Sequence, residues 1–167
     1  ENPVDMSELL GPLGLAVETG TVANLQANAP LTRTDRARHT VYTTTFSSHP
    51  SVTTNARNNR RYAVVVDRAL ALKTQKVADK SVKAEMVMHA PSDTFLDLNG
   101  NLAFDSGEKQ KGYPLATAVT MTSTTGKKDD EGRVFVIGDV DVFSEKLVRL
   151  VEGNVFLFRD IVAWLQR

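Results

Sequence analysis

The sequence predicts an α/β domain with a central mixed or mostly parallel sheet flanked by helices. Three observations predict it. Val134 to Ile137 is an unbroken apolar run, rich in β-branched residues, the pattern of a short strand covered on both faces. Tyr62 to Val66 repeats that pattern earlier in the chain. Two helical segments follow the first run. Ser144 stands as N-cap before Glu145, Leu147, Val148 and Leu150, with Gly153-Asn154 as its stop. Val155, Phe158, Ile161, Val162 and Leu165 then recur at three- and four-residue intervals, an amphipathic helix whose opposite side is left to Arg159, Asp160 and Gln166.

The remaining elements follow in chain order. Asn2 to Leu10 reads as a short helix entered through Pro3 and stopped by Gly11 and Gly14. Leu15 to Val17 and Thr21 to Leu25 read as strands around Gly20. Gln26 to His39 is polar, and its cluster of Arg33, Arg36, Arg38 and His39 reads as a solvated loop rather than an anion site. Thr40 to Phe46 alternates as an edge strand and turns at His49-Pro50. Ser51 to Asn59 is a short helix or an irregular crossing. Asp67 to Lys73 fits a strand or a helix. Val82 to His89 alternates as a strand, with Val82, Ala84, Met86 and Met88 on one side. Tyr113 to Thr122 is a further strand, expected beside Val134 to Ile137. Ser123 to Glu131 between them is a charged turn.

At 167 residues the chain can bury one good core, so residues 1–167 are expected to form a single domain. Twenty basic residues balance twenty acidic ones, which leaves no net pull toward nucleic acid or anionic lipid. The absence of cysteine excludes disulfides, thiolate metal sites and a cysteine nucleophile. No apolar run reaches the roughly 18 residues that span a bilayer. A first residue of Glu rather than Met predicts a segment cut from a longer protein.

One stretch carries a specific chemistry. Asp97, Asn99, Asn101, Asp105 and Glu108 occupy positions 1, 3, 5, 9 and 12 of a twelve-residue run, the oxygen spacing with which a curled backbone surrounds calcium. Phe104 stands where such loops carry an apolar anchor. Position 6 departs from the pattern: it is Leu102 where the sharp turn calls for glycine. Calcium is therefore the candidate ion, and two neutral amides among the donors lower the affinity. A plain Asn-Gly hairpin followed by an acidic turn is the commoner meaning of such a stretch, since Asn-Gly and Asp-Ser-Gly are turn signals by themselves. A second acidic pair, Asp139 and Asp141, lies at the end of the Val134 to Ile137 strand, where α/β sheets hold ligands. It would be the acid/base or magnesium pair of a hydrolase-like enzyme, or, as Asp at a strand end more commonly is, a helix cap or turn former. No nucleophile elbow, phosphate-binding glycine loop or zinc signature is present.

Gly132-Arg133-Val134-Phe135-Val136-Ile137-Gly138-Asp139-Val140-Asp141-Val142-Phe143-Ser144 resembles the extracytoplasmic domain of the auxiliary components of ABC-type transport systems, the gliding-motility-associated family. Shorter matches are Asn2-Pro3, Leu9 to Leu15, His49-Pro50, Pro114 to Val119, Gly153-Asn154 and Ala163-Trp164-Leu165. The resemblance implies a flavodoxin-like or class I glutamine amidotransferase-like fold, here lacking a preceding βα half. It also implies a location on the periplasmic face, held at the membrane by segments outside this chain. The partners it implies are an ABC transporter permease or other membrane-complex subunits. Amidotransferase chemistry is not carried over, since the nucleophilic cysteine is missing. The expected function is thus a non-catalytic binding domain with a calcium-stabilised loop, with the hydrolase as alternative.

Overall fold

The computed structural model describes residues 6–26, 35–122 and 131–167. Asn2 to Asp5 of the expected first helix, Arg33 of the basic cluster, and positions 123–130 of the charged turn lie outside them. Nine strands run through the described residues: β1 (Leu15–Asn24), β2 (Thr40–Thr43), β3 (Thr45–Phe46), β4 (Val64–Asp67), β5 (Leu70–Thr74), β6 (Val82–His89), β7 (Thr94–Asp97), β8 (Pro114–Met121) and β9 (Gly132–Ile137). Helices α1 (Ser7–Leu10) and α2 (Thr53–Arg57) are single turns. Only α3 (Glu145–Leu150) and α4 (Glu152–Leu165), at the end of the chain, are longer.

The strands form three sheets, ordered β5-β1-β7, β2-β4 and β3-β6-β8-β9, and every strand pairing is antiparallel. This overturns the expected mixed or mostly parallel sheet and the flavodoxin-like or amidotransferase-like architecture. A parallel pair needs a crossover of a dozen or more residues, usually a helix. Here β8 and β9 are instead antiparallel neighbours, with Ala116 opposite Ile137 and Met121 opposite Gly132. Val134 to Ile137 is correspondingly not a central strand. It closes the four-stranded sheet at its margin, and each of its residues is only partly buried. Its apolar side chains still face the two core clusters, Phe135 and Ile137 one and Val134 and Val136 the other. The unbroken run therefore reports two covered faces, not a strand on either side.

Three further expectations change. Leu15–Asn24 is one long strand whose halves serve different neighbours, β5 at Leu15 to Val17 and β7 at Thr21 to Asn24. Gly20 makes that switch with φ 96°, and a Cβ there would lie 2.8 Å from the Asp97 carbonyl oxygen. Thr40 to Phe46 breaks at Thr44 into β2 and β3, which enter different sheets. Buried Thr43 holds the corner: its hydroxyl donates to the His89 carbonyl and accepts from the Thr45 amide. In β6 a register shift between Met86 and Met88 interrupts the alternation, so Val87 and Met88 are both buried.

The two C-terminal helices exist, but they divide elsewhere than expected. Ser144 does cap α3, its hydroxyl accepting from the Leu147 amide. The helix stops at Val151, extended at φ −140° and ψ 132°, and Gly153-Asn154 belongs to the first turn of α4 instead of ending α3. The buried stripe of α4 is Asn154, Leu157, Ile161 and Trp164, while Val155, Phe158 and Leu165 of the expected stripe are exposed. Polar contacts choose that face. Asn154 donates to the carbonyls of Val65 (2.8 Å) and Val142 (2.7 Å) and accepts from the Val65 amide (2.9 Å). Asp160, expected on the solvent side, accepts from the Thr54 amide (2.5 Å) and hydroxyl (2.9 Å) at the start of α2. Leu157, Ile161 and Trp164 then add roughly 1.5 to 3 kcal/mol each by burial.

A candidate ion loop and two acidic neighbours

The Asp97 to Glu108 run begins on β7, at the residue paired with Thr21 of β1, and leaves the sheet at once. It is closed from within. The buried Asp97 carboxylate accepts from the amides of Gly100 (2.8 Å) and Leu102 (3.0 Å). Asn99 Oδ1 accepts from the Asn101 amide, and Asn101 Oδ1 from the Ala103 amide, two successive Asx turns. Glu108 returns to the start, Oε1 accepting from the Leu98 amide (3.0 Å) and Oε2 from the Asp105 amide (2.9 Å). Asp105 Oδ2 lies between the amide groups of Asn99 (2.9 Å) and Asn101 (2.7 Å). All five sequence-predicted donors thus take part in one hydrogen-bonded loop.

No two strands flank the Asn99-Gly100 pair, so the turn is not a two-stranded hairpin, and the chain curls through twelve residues before returning. Leu102 settles the geometry of the anomalous sixth position. It has φ 62°, the left-handed conformation glycine would take there. Phe104 lies edge-on to buried Phe95, ring centroids 5.4 Å apart, and so anchors the far side.

The donor set suits a hard cation, being all oxygen, but it is not a ready cluster of charge. Among the described residues no three His, Cys, Asp or Glu side chains converge for a metal. The loop would supply three carboxylates and two amides, and the Asn nitrogens now at Asp105 would have to yield to their oxygens. Sequence reasoning missed two neighbours. Arg38 Nη1 donates to the Leu102 carbonyl at 2.6 Å, and His39 Nε2 lies 3.5 Å from Asp97 Oδ2. Both stood out only as members of the basic cluster, with nothing to point them at this loop, since they come from a short 3₁₀ helix (Asp35–His39) far back in the chain. A shallow cavity of about 270 Å³ adjoins the loop, lined by Glu18, Leu96, Glu108, Lys111 and Tyr113.

The other acidic pair does different work. Asp139 is buried, and its two oxygens accept from the backbone amides of Asp67 (2.9 Å) and Asp141 (2.7 Å). Burial raises its pKa; those two hydrogen bonds oppose the rise, and the charges of Asp141 and Asp67 add to it. Asp141 is exposed, and neither that residue nor Asp139 lines the cavity beside the loop. Asp139 is thereby a turn former that ties β9 to β4.

His49 also has a structural post. Its Nδ1 accepts from the Ser51 amide (3.2 Å) and lies 2.8 Å from the Ser51 hydroxyl, while its ring stands edge-on to Trp164 at 5.0 Å. Burial lowers its pKa, against the raising effect of Glu85, and burial lowers that of His89 as well. Both groups bind a proton more readily unfolded than folded, so their contribution is whole above the unfolded value of 6.5 and is lost as pH falls from there through the lower folded values. Asp139 has the opposite sign: its contribution is whole below the unfolded value of 3.8 and is lost as pH rises through the higher folded value. The two histidines are therefore expected to lower the thermal midpoint as pH falls from about 7 to about 5, with Asp139 opposing them toward the acid end. The fall should be shallower in His49→Asn, which keeps a capping acceptor and removes the titration.

No protein-family model matches this chain, and no curated protein matches it. No helix among the described residues is long and apolar enough to cross a membrane.

Proposed function

We propose that this chain is a non-catalytic extracytoplasmic binding domain whose Asp97 to Glu108 loop is stiffened by calcium. The observation that carries the reading is the closed loop itself: five oxygen-bearing side chains at ligand spacing, with the sixth residue left-handed as the turn requires. Calcium would supply a compact positive centre for oxygens that the loop's own amides now hold. With only three carboxylates among the five donors, the dissociation constant belongs near 10⁻⁴ to 10⁻³ M, the range of extracellular modules. That affinity is useful only where calcium is plentiful, which supports a site outside the cytoplasm. For partners we propose the permease or other membrane subunits of an ABC-type transport system. This part rests on the resemblance carried by Gly132 to Ser144. The engagement of both Asp139 oxygens by backbone amides speaks for a binding domain over a hydrolase.

Calcium at about ten times its dissociation constant stabilises a folded state that alone binds it by roughly 1.4 kcal/mol, a rise of about 3 °C in a chain of this size. Magnesium, which holds its waters and prefers six rigid ligands, should raise it less. Asp105→Ala should abolish the calcium-dependent rise while the chelated protein still unfolds cooperatively. A parent protein whose midpoint is the same in millimolar calcium and in chelator would end the ion reading.

A further inference from the structure

We propose that Arg38 is a positioning residue for the ion loop: it holds Leu102 in the left-handed conformation and so replaces the glycine that the sixth position lacks. The proposal deepens the calcium reading and rests on it for the affinity effect alone. A left-handed leucine is strained, because its Cβ crowds the following carbonyl. Something must hold it, and both peptide groups that flank Leu102 are held. Its amide donates to Asp97 Oδ2 at 3.0 Å, and its carbonyl accepts from Arg38 Nη1 at 2.6 Å.

Arg38 can act as a brace because its own backbone is fixed. Its carbonyl accepts from Asn24 Nδ2 at 3.0 Å, and the same amide group donates to the Thr40 carbonyl at 2.9 Å. Asn24 is buried in β1, beside the Thr94 end of β7. One residue on, the His39 carbonyl accepts from the Arg68 amide at 3.1 Å. Ala37 on the other side is buried. The guanidinium therefore reaches across from a segment tied to β1 and β2 and meets the loop at its one conformational weak point. Without that hydrogen bond, Leu102 can relax toward negative φ, and the Asp97 carboxylate loses one of its two amide donors.

The Arg38 charge complicates a single substitution, since a nearby cation also repels calcium. A double-mutant cycle removes that complication. Arg38→Gln takes away the same charge whether residue 102 is leucine or glycine, whereas only leucine needs the brace. The four proteins are the parent, Arg38→Gln, Leu102→Gly and the double variant. Each is measured for calcium affinity by titration calorimetry and for thermal midpoint in chelator. Arg38→Gln is expected to weaken calcium roughly fivefold more in the parent than in the Leu102→Gly background. In chelator it is expected to lower the midpoint by about 3 °C more in the parent. Equal effects in the two backgrounds, in both measurements, would overturn the proposal. If none of the four binds calcium while the chelated midpoints remain coupled, Arg38 stands as the brace of Leu102 and the ion reading falls by itself.

Discussion

Asn154→Leu is expected to lower the stability of the fold by about 4 kcal/mol, most of what a domain of marginal stability has. Leucine has the same number of side-chain heavy atoms as asparagine and the same branch point, so the substitution opens no cavity and the loss reports the missing hydrogen bonds together with the larger methyl groups. The side chain of Asn154 is fully buried and satisfies three backbone groups: the Val65 amide, the Val65 carbonyl and the Val142 carbonyl. Each is left in an apolar surrounding at about 1 to 3 kcal/mol once its partner goes. Asn154→Asp should be no milder, because it keeps an acceptor for Val65, loses both donated bonds and places a carboxylate in the core. Urea unfolding monitored by Trp164 fluorescence measures this, with a lower midpoint and an unchanged slope as the expected result. A change under 1 kcal/mol would mean that α4 does not dock through this residue.

Gly138→Ala is expected to cost about 3 kcal/mol or more, at the upper end of what overpacking does. Gly138 stands just past β9 and joins two sheets, its amide donating to the Leu115 carbonyl of β8 at 2.9 Å and its carbonyl accepting from the Leu70 amide of β5 at 2.7 Å. A Cβ there would lie 1.9 Å from the Leu70 carbonyl oxygen and 2.9 Å from its carbon. Both obstacles are backbone, so no rotamer change relieves them. The sheets would have to separate locally, and amide exchange should quicken first at Leu70 and Gly138. An alanine variant with the parent's midpoint would show that β5 and β9 do not meet this closely.

The contrast between these two positions and the apolar runs explains what could be read in the chain. Periodicity reports how much of a segment is covered, so Val82 to His89, Tyr113 to Thr122 and the two C-terminal helices were legible as elements. It does not report direction. Val134 to Ile137 has the same composition whether its neighbours run parallel or antiparallel, and both its reading as a central strand and the family resemblance led to the wrong choice. The face of α4 was misread for a related reason. Val155 and Phe158 compete with Leu157 and Trp164 on hydrophobicity alone, and Asn154 decides the rotation through hydrogen bonds to strands distant in sequence. In the loop the five donors were legible, because their spacing is local. The hold of Arg38 on Leu102 was not, because it spans 64 residues.

Among the described residues strand β4 has a neighbouring strand, β2, on one side only. Along its other side the Val65 amide and carbonyl are taken by Asn154, and the Asp67 amide by Asp139. An unprotected margin of this kind is where a foreign chain zips on and fibrils begin. Two side chains, one from a helix and one from a turn, here imitate the missing strand without offering a further margin of their own. The native molecule is thereby closed to recruitment at a Val-Val-Val-Asp segment that would otherwise invite it.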